Sequence, residues 1–151
     1  MRSGEAIEDH LIFLSYSSPD ADAVFEFHDY LYSKGYDVWF DKRRLKPGQN
    51  WDFEIKRALK AASIIVVFIS NNSVDRRGYA QREIRIALEQ AETRLIDDIY
   101  LIPILLDSDV PIPQQVADIQ VIRANEEDRF EALISAIDHQ FERLEARNER
   151  A

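Results

Sequence analysis

Apolar residues along this chain fall into short consecutive runs, and these alternate with stretches in which they recur every three or four positions. His10–Tyr16 is the first run and predicts a buried strand. Ser18-Pro19-Asp20 predicts the opening of a helix, with Ser18 at the N-cap and Pro19 at the first helical position. Val24, Phe27 and Leu31 follow at helical spacing, and Gly35 is the stop signal. Tyr36–Phe40 predicts a short second strand, and the loop Asp41–Gln49 carries the turn pair Pro47-Gly48. Asn50 is a candidate cap for the next helix, whose positive dipole end suits Asp52 and Glu54. Ile55, Ala58, Leu59 and Ala62 form its inner face. Ser63–Ser70 is apolar on consecutive positions, as a strand covered on both faces requires.

The second half continues the alternation. A polar loop, Asn71–Gly78, leads into a helix predicted from about Tyr79 to Glu92. Tyr100–Leu106 predicts a fourth strand; its Pro103 lacks a ladder donor, which predicts an irregular or weakly paired position. Val110–Gln115 is a loop with two prolines, and Ile119–Ile122 a short edge strand. A last helix from about Glu126 turns Phe130, Leu133, Ile134, Ile137 and Phe141 inward. Five strands alternating with helices predict an α/β fold: a flavodoxin-like, open five-stranded parallel sheet in the order 2-1-3-4-5, with helices on both faces. Residues 10–142 form the domain, 1–9 a flexible N-terminus, and 143–151 a charged tail or linker. Ligands of such sheets bind beyond the carboxyl ends of the strands where the order reverses. Here that crevice is bordered by Ser15–Ser18 and Asn71–Tyr79.

Composition narrows the chemistry. With 46% hydrophobic residues the chain can bury a sizeable core, and a net charge of −9 argues against a nucleic-acid surface. Basic residues cluster only in loops, at Lys42-Arg43-Arg44 and Arg76-Arg77. Two readings of them stay open: solvated loop charge, or attraction of an anionic ligand such as a dinucleotide. The absence of cysteine excludes disulfides, thiolate zinc sites and a cysteine nucleophile, and fits a reducing, cytoplasmic setting. Met1–Asp9 is too polar for a signal peptide, and the longest apolar run, Ile64–Ile69, is too short to span a bilayer; no membrane partner is expected. P-loop, dinucleotide-fold glycine, phosphoacceptor and nucleophile-elbow motifs are all missing at the positions where each would have to stand. His10, His28 and His139 lie on separate predicted elements, so no metal site is expected.

One carboxylate stands apart. Ala80, Ile84, Ala87, Leu88 and Ala91 define an apolar stripe, and Glu83 lies roughly 80° from its centre at about 100° per residue. Glu83 is thus placed at the edge of the buried face, in the first turns of a helix beside the crevice, with Tyr79 one turn earlier on the same edge. A helix-start glutamate stabilised by the dipole, next to a packing tyrosine, accounts for the same pattern.

Three segments in order resemble the Toll/interleukin-1 receptor (TIR) domain family, in its bacterial NAD-cleaving form. They are Phe13-Leu14-Ser15-Tyr16-Ser17; Gly35-Tyr36-Asp37-Val38-Trp39-Phe40-Asp41 with Arg44-Leu45-Lys46-Pro47-Gly48-Gln49-Asn50-Trp51; and Ser63–Ser70 leading to Gly78-Tyr79-Ala80-Gln81-Arg82-Glu83-Ile84. The resemblance covers residues 10 to about 141 and implies the fold above. It implies that Glu83, in an aromatic-x-x-Arg/Lys-Glu pattern, is catalytic in cleaving the nicotinamide–ribose bond of NAD+, with NAD+ as substrate and no cofactor. Tyr79 stands where the family usually has Trp. Tyr79, Ser15, Tyr16, Ser17, Asp41 and Trp51 are the implied substrate-binding residues. Ser17 and Ser18 replace basic residues of some catalytic members; either they bind phosphate or Ser18 only caps its helix. Arg43, Arg44, Leu45, Lys46, Pro47 and Gly48 are the implied BB-loop and self-association residues, and other TIR domains the implied partners, in an oligomer or filament. The implied role is in bacterial immune or effector signalling. The rival that the same resemblance carries is a non-enzymatic TIR–TIR scaffold, in which Glu83 is structural.

Overall fold

A computed structural model describes residues 10–40, 46–93 and 98–150, the side chains of residues 51, 83 and 148–150 excepted. Its sheet has five strands: β1 (Ile12–Ser15), β2 (Val38–Trp39), β3 (Ile64–Ile69), β4 (Leu101–Leu105) and β5 (Ile122–Arg123). Their spatial order is β2-β1-β3-β4-β5 and every pairing is parallel. The flavodoxin-like arrangement expected from the alternation is therefore the one observed. Among the described residues, four helices cover it: α1 (Ala21–Ser33), α2 (Trp51–Ala61), α3 (Arg82–Ala91) and α4 (Arg129–Arg150).

The two-sided burial explains the consecutive apolar runs. Even-numbered Ile12, Leu14, Ile64, Val66, Phe68, Ile102 and Ile104 pack with Val24, Phe27 and Leu31 of α1 and Leu133 and Ile137 of α4. Odd-numbered Phe13 and Ile65 pack against Ala58 and Leu59 of α2 and Ala87 of α3, and Val67 and Ile69 against Ile84 and Leu88 of α3. All six residues of β3 are buried, so neither face tolerates a polar side chain there. Asn50 caps α2 as its position predicts: its Oδ1 accepts the Phe53 N–H at 2.9 Å.

The structure corrects several boundaries. Residues 18–20 form a 3-10 turn ahead of α1, so Ser17 rather than Ser18 occupies the cap position, and no side-chain capping bond is made there. The helix predicted from Tyr79 begins only at Arg82, with Gln81 as its N-cap. Ala80 instead makes an antiparallel bridge with Val74, which holds residues 74–80 in a closed loop. The last helix starts at Arg129, not Glu126, and runs to Arg150.

Pro103 sits inside β4, in register with Val67. Tyr100 and Leu106 bond to β3, whereas Leu105 bonds to residue 124 beyond β5. Because outward direction alternates along a strand, the position of Pro103 faces β5. The β5 register begins only at Ile104. The proline thus falls where no ladder donor is needed, and β4 is otherwise fully paired to β3.

Candidate functional site

The crevice at the carboxyl ends of β1 and β3 is built around a buried acid that the sequence reading passed over. Asp20, 8% exposed, closes the 3-10 turn after β1. Its Oδ2 accepts the hydroxyls of Ser17, at 2.9 Å, and of Ser70, and its Oδ1 accepts the Asn72 side-chain amide at 2.8 Å. The Asn72 backbone N–H in turn donates to Ser70 Oγ. The Ser70 N–H donates to Ser73 Oγ at 2.9 Å, which closes the turn after β3. Asn71 reaches the other way: its backbone N–H donates to Asp107 at 2.7 Å and its side chain to Asp109 at 3.0 Å. Loops from three strand ends are thereby cross-linked. The signal for Asp20 was present as Ser17-x-x-Asp20, the spacing of a turn-closing side-chain bond.

The sequence-predicted residues divide around this network. Ser15 and Ser17 are buried at the end of β1, and the Ser17 hydroxyl is committed to Asp20. Between them, the Tyr16 ring stacks on Phe40 with centroids 5.3 Å apart. Tyr79 is 65% exposed. It stands on a loop rather than one turn before Glu83 on a common helix, and the cause is local. The Asp75 carboxylate accepts the backbone N–H groups of Arg77 (2.8 Å) and Tyr79 (3.0 Å). Gly78 adopts φ +88°, which allows the chain to reverse before α3 begins. The Tyr79 N–H above all, then the Arg77 backbone and guanidinium, hold the Asp75 carboxyl below the ordinary range.

Glu83 is the second residue of α3, at the positive end of the helix dipole. Its side chain lies outside the described residues, as do the side chain of Trp51 and all of Asp41, Arg43, Arg44 and Leu45. Trp51 itself opens α2. Arg82 Nη2 donates to Asp52 at 2.7 Å, so the first turns of α2 and α3 are pinned side by side, with positions 51 and 83 adjoining that link. The Arg82 hydrogen bond holds the Asp52 carboxyl below its usual range. Ahead of α2, Lys46, Pro47 and Gly48 form an exposed turn, closed by the Gln49 N–H on the Lys46 carbonyl at 3.0 Å. Proline followed by a glycine at φ +95° is the pattern of a type II turn.

A groove of about 870 Å³ lies elsewhere, along β4 and β5 between α3 and α4, lined by Leu88, Leu101, Ile122 and Ala132 among others. It includes none of the residues predicted for the site. Among the described residues no group of three or more His, Cys, Asp or Glu is placed to hold a metal ion. No described helix is long and apolar enough to cross a membrane.

A family model described as TIR domain matches residues 12–136. Among solved structures the chain is similar to a metazoan TIR-STING receptor from C. gigas in complex with 2',3'-cGAMP (20% identity, TM-score 0.64, 83% of this chain and 38% of that one). It is also similar to a prokaryotic SEFIR domain (20%, TM-score 0.63, 85% and 92%). A third is the TIR domains of the activated Roq1 resistosome, which recognises the pathogen effector XopQ (24%, TM-score 0.54, 66% and 59%). This chain therefore spans 59% of the Roq1 chain and 38% of the TIR-STING chain. No curated protein matches it.

Proposed function

The chain belongs to the TIR domain family, and from that premise we propose that it is an NAD+ glycohydrolase with Glu83 as its catalytic carboxylate. The observation that carries the reading is the position of Glu83. It follows directly on the crevice loop that exposes Tyr79, at the start of a helix whose first turn is fixed by Arg82 to Asp52.

The chemistry asks little of the protein beyond placement. The bond between ribose C1 and the pyridinium nitrogen breaks with its electron pair moving to nitrogen, so nicotinamide leaves neutral and needs no general acid. Positive charge develops on the ribose, as in other glycosidic transition states. A carboxylate beside that ring stabilises it and holds the ribose hydroxyls. Water then adds at C1 and gives up a proton to the carboxylate or to solvent, yielding ADP-ribose; an internal hydroxyl in place of water yields a cyclic form. Tyr79 offers a ring for stacking on a base of the substrate. Self-association through the Lys46-Pro47-Gly48 turn completes the site, and the setting is cytoplasmic immune or effector signalling. The exposure of that turn also favours the second reading, a scaffold that binds other TIR domains without turnover.

Nicotinamide release from NAD+, followed over a wide range of protein concentration, tests the proposal. Wild type is expected to turn over, with a rate rising more steeply than enzyme concentration, and Glu83→Gln to lose activity with its circular dichroism spectrum unchanged. A folded Glu83→Gln protein with wild-type turnover refutes the assignment. No turnover by wild type at high concentration with a crowding agent leaves the scaffold.

A further inference from the structure

The basic pair Arg76-Arg77 has no part in the mechanism above, yet the structure treats its two members differently. The Arg77 guanidinium lies over the Tyr79 ring, 4.9 Å from its centroid, and its Nη2 donates to Asp75 Oδ2 at 3.2 Å. The same carboxylate accepts the backbone N–H groups of Arg77 and Tyr79. The loop closes on itself through Asp75 N–H to the Tyr79 carbonyl, at 3.0 Å, and Gly78 N–H to the Asp75 carbonyl, at 2.9 Å. Asp75 stays ionised well into mild acid, because these donors hold its carboxyl below the ordinary range. Guanidinium and ring are therefore presented as one preformed unit. Both are open to solvent: the Arg77 side chain is 75% exposed and Tyr79 65%. Asp75 engages one Nη of a group that carries five N–H donors.

A planar cation lying over a tyrosine ring suits a ligand that carries an aromatic base and a phosphate a few ångströms apart. The ring takes the base on its uncovered side, and the guanidinium fork takes phosphate oxygens in pairs. We propose that Arg77 binds the pyrophosphate of the dinucleotide whose base stacks on Tyr79. The inference rests on the NAD+ reading and adds to it the residue that recognises the part of the substrate remote from the broken bond. Arg76 carries the same charge one position earlier and takes no part in the Asp75–Arg77–Tyr79 unit, which makes it the control for charge alone.

The test is calorimetric titration of the full chain with ADP-ribose and with adenosine, alongside steady-state nicotinamide release, for wild type, Arg77→Ala, Arg77→Lys and Arg76→Ala. Arg77→Ala is expected to weaken ADP-ribose binding by about tenfold or more and to raise KM for NAD+ similarly, with kcat little changed. Adenosine binding should hold within about threefold, Arg77→Lys should fall between, and Arg76→Ala should stay near wild type. Equal losses for Arg76→Ala and Arg77→Ala overturn the inference, since they assign the effect to general charge. An active wild type with an unchanged Arg77→Ala overturns it alone. A wild type that neither binds ADP-ribose nor releases nicotinamide removes the NAD+ reading and the inference together.

Discussion

Replacing Asp20 with alanine puts a number on the network that joins the strand ends. Asp20 is 8% exposed and accepts from Ser17, Ser70 and Asn72. Ser17 and Ser70 are themselves buried, at 2% and 0%, so their hydroxyls lose an acceptor where water does not replace it. A buried donor left unpaired costs about 1–3 kcal/mol. Ser70 Oγ still accepts the Asn72 N–H, but that bond gives its own O–H no acceptor, and the Ser17 hydroxyl likewise loses the Asp20 carboxylate. The sum comes to about 3 kcal/mol, toward the low end of what breaking a buried charged network costs. For a domain of this size that lowers Tm by roughly 10 °C. Urea unfolding of wild type and Asp20→Ala reads it as a fall in midpoint at unchanged m. A double-mutant cycle with Ser70→Ala then isolates the pair, which should couple by more than about 0.5 kcal/mol. A loss below about 1 kcal/mol, or strict additivity with Ser70→Ala, refutes the reasoning, because it means the carboxylate is as well solvated unfolded as folded.

Three further outcomes follow from the geometry. Burial first, then the 2.6 Å bond to Asp138, raises the Tyr36 phenol well above its ordinary value. A raised folded value means its contribution to stability is fully present below about pH 10 and is lost as pH climbs beyond it; an alkaline Tm series should fall for wild type and flatten for Tyr36→Phe. Asn50→Ala removes the acceptor for Phe53 N–H and should cost about 1 kcal/mol by urea midpoint; no change would mean that α2 is held by packing alone. Tyr79→Trp enlarges the exposed ring and should raise kcat/KM for NAD+ a few-fold, about what one aromatic contact contributes, whereas Tyr79→Ala should lower it. The reverse order would remove Tyr79 from the substrate site.

Much of the fold was legible because it rests on patterns with a fixed period. The consecutive apolar positions of β3 announce a strand covered on both sides, and α1 repeats its buried positions at helical spacing. What the pattern did not resolve are places where a side chain outcompetes the helix for the backbone. Tyr79 and Ala80 have the spacing of a helical stripe. Yet the Asp75 carboxylate captures the N–H groups of residues 77 and 79, and the Val74–Ala80 bridge delays α3 to Arg82. The notion that Tyr79 and Glu83 share a helix edge failed for that reason. Asp75-x-x-Gly78 was the sequence sign of it. Likewise Ser17, not Ser18, holds the cap position, because Ser17 is drawn inward by Asp20. The crevice at the ends of β1 and β3 was legible as a location, since the strand order expected from the alternation is the one observed. The burial of Asp20 was not, because the Ser17-x-x-Asp20 spacing shows a turn-closing bond but not that Ser70 and Asn72 of the loop after β3 close over the same carboxylate.

The ties from Asn71 to Asp107 and Asp109, and from Asp20 to Ser70 and Asn72, bear on how the crevice meets a ligand. Loops that must order on contact lose conformational entropy at that moment, at about 1–2 kcal/mol per residue fixed. Here that ordering accompanies folding, so a ligand arriving at the rim meets a surface already in place. Its association should show a heat-capacity change no larger than the contact area requires. The backbone amides of residues 71 and 72 should exchange with solvent together, in one concerted opening event.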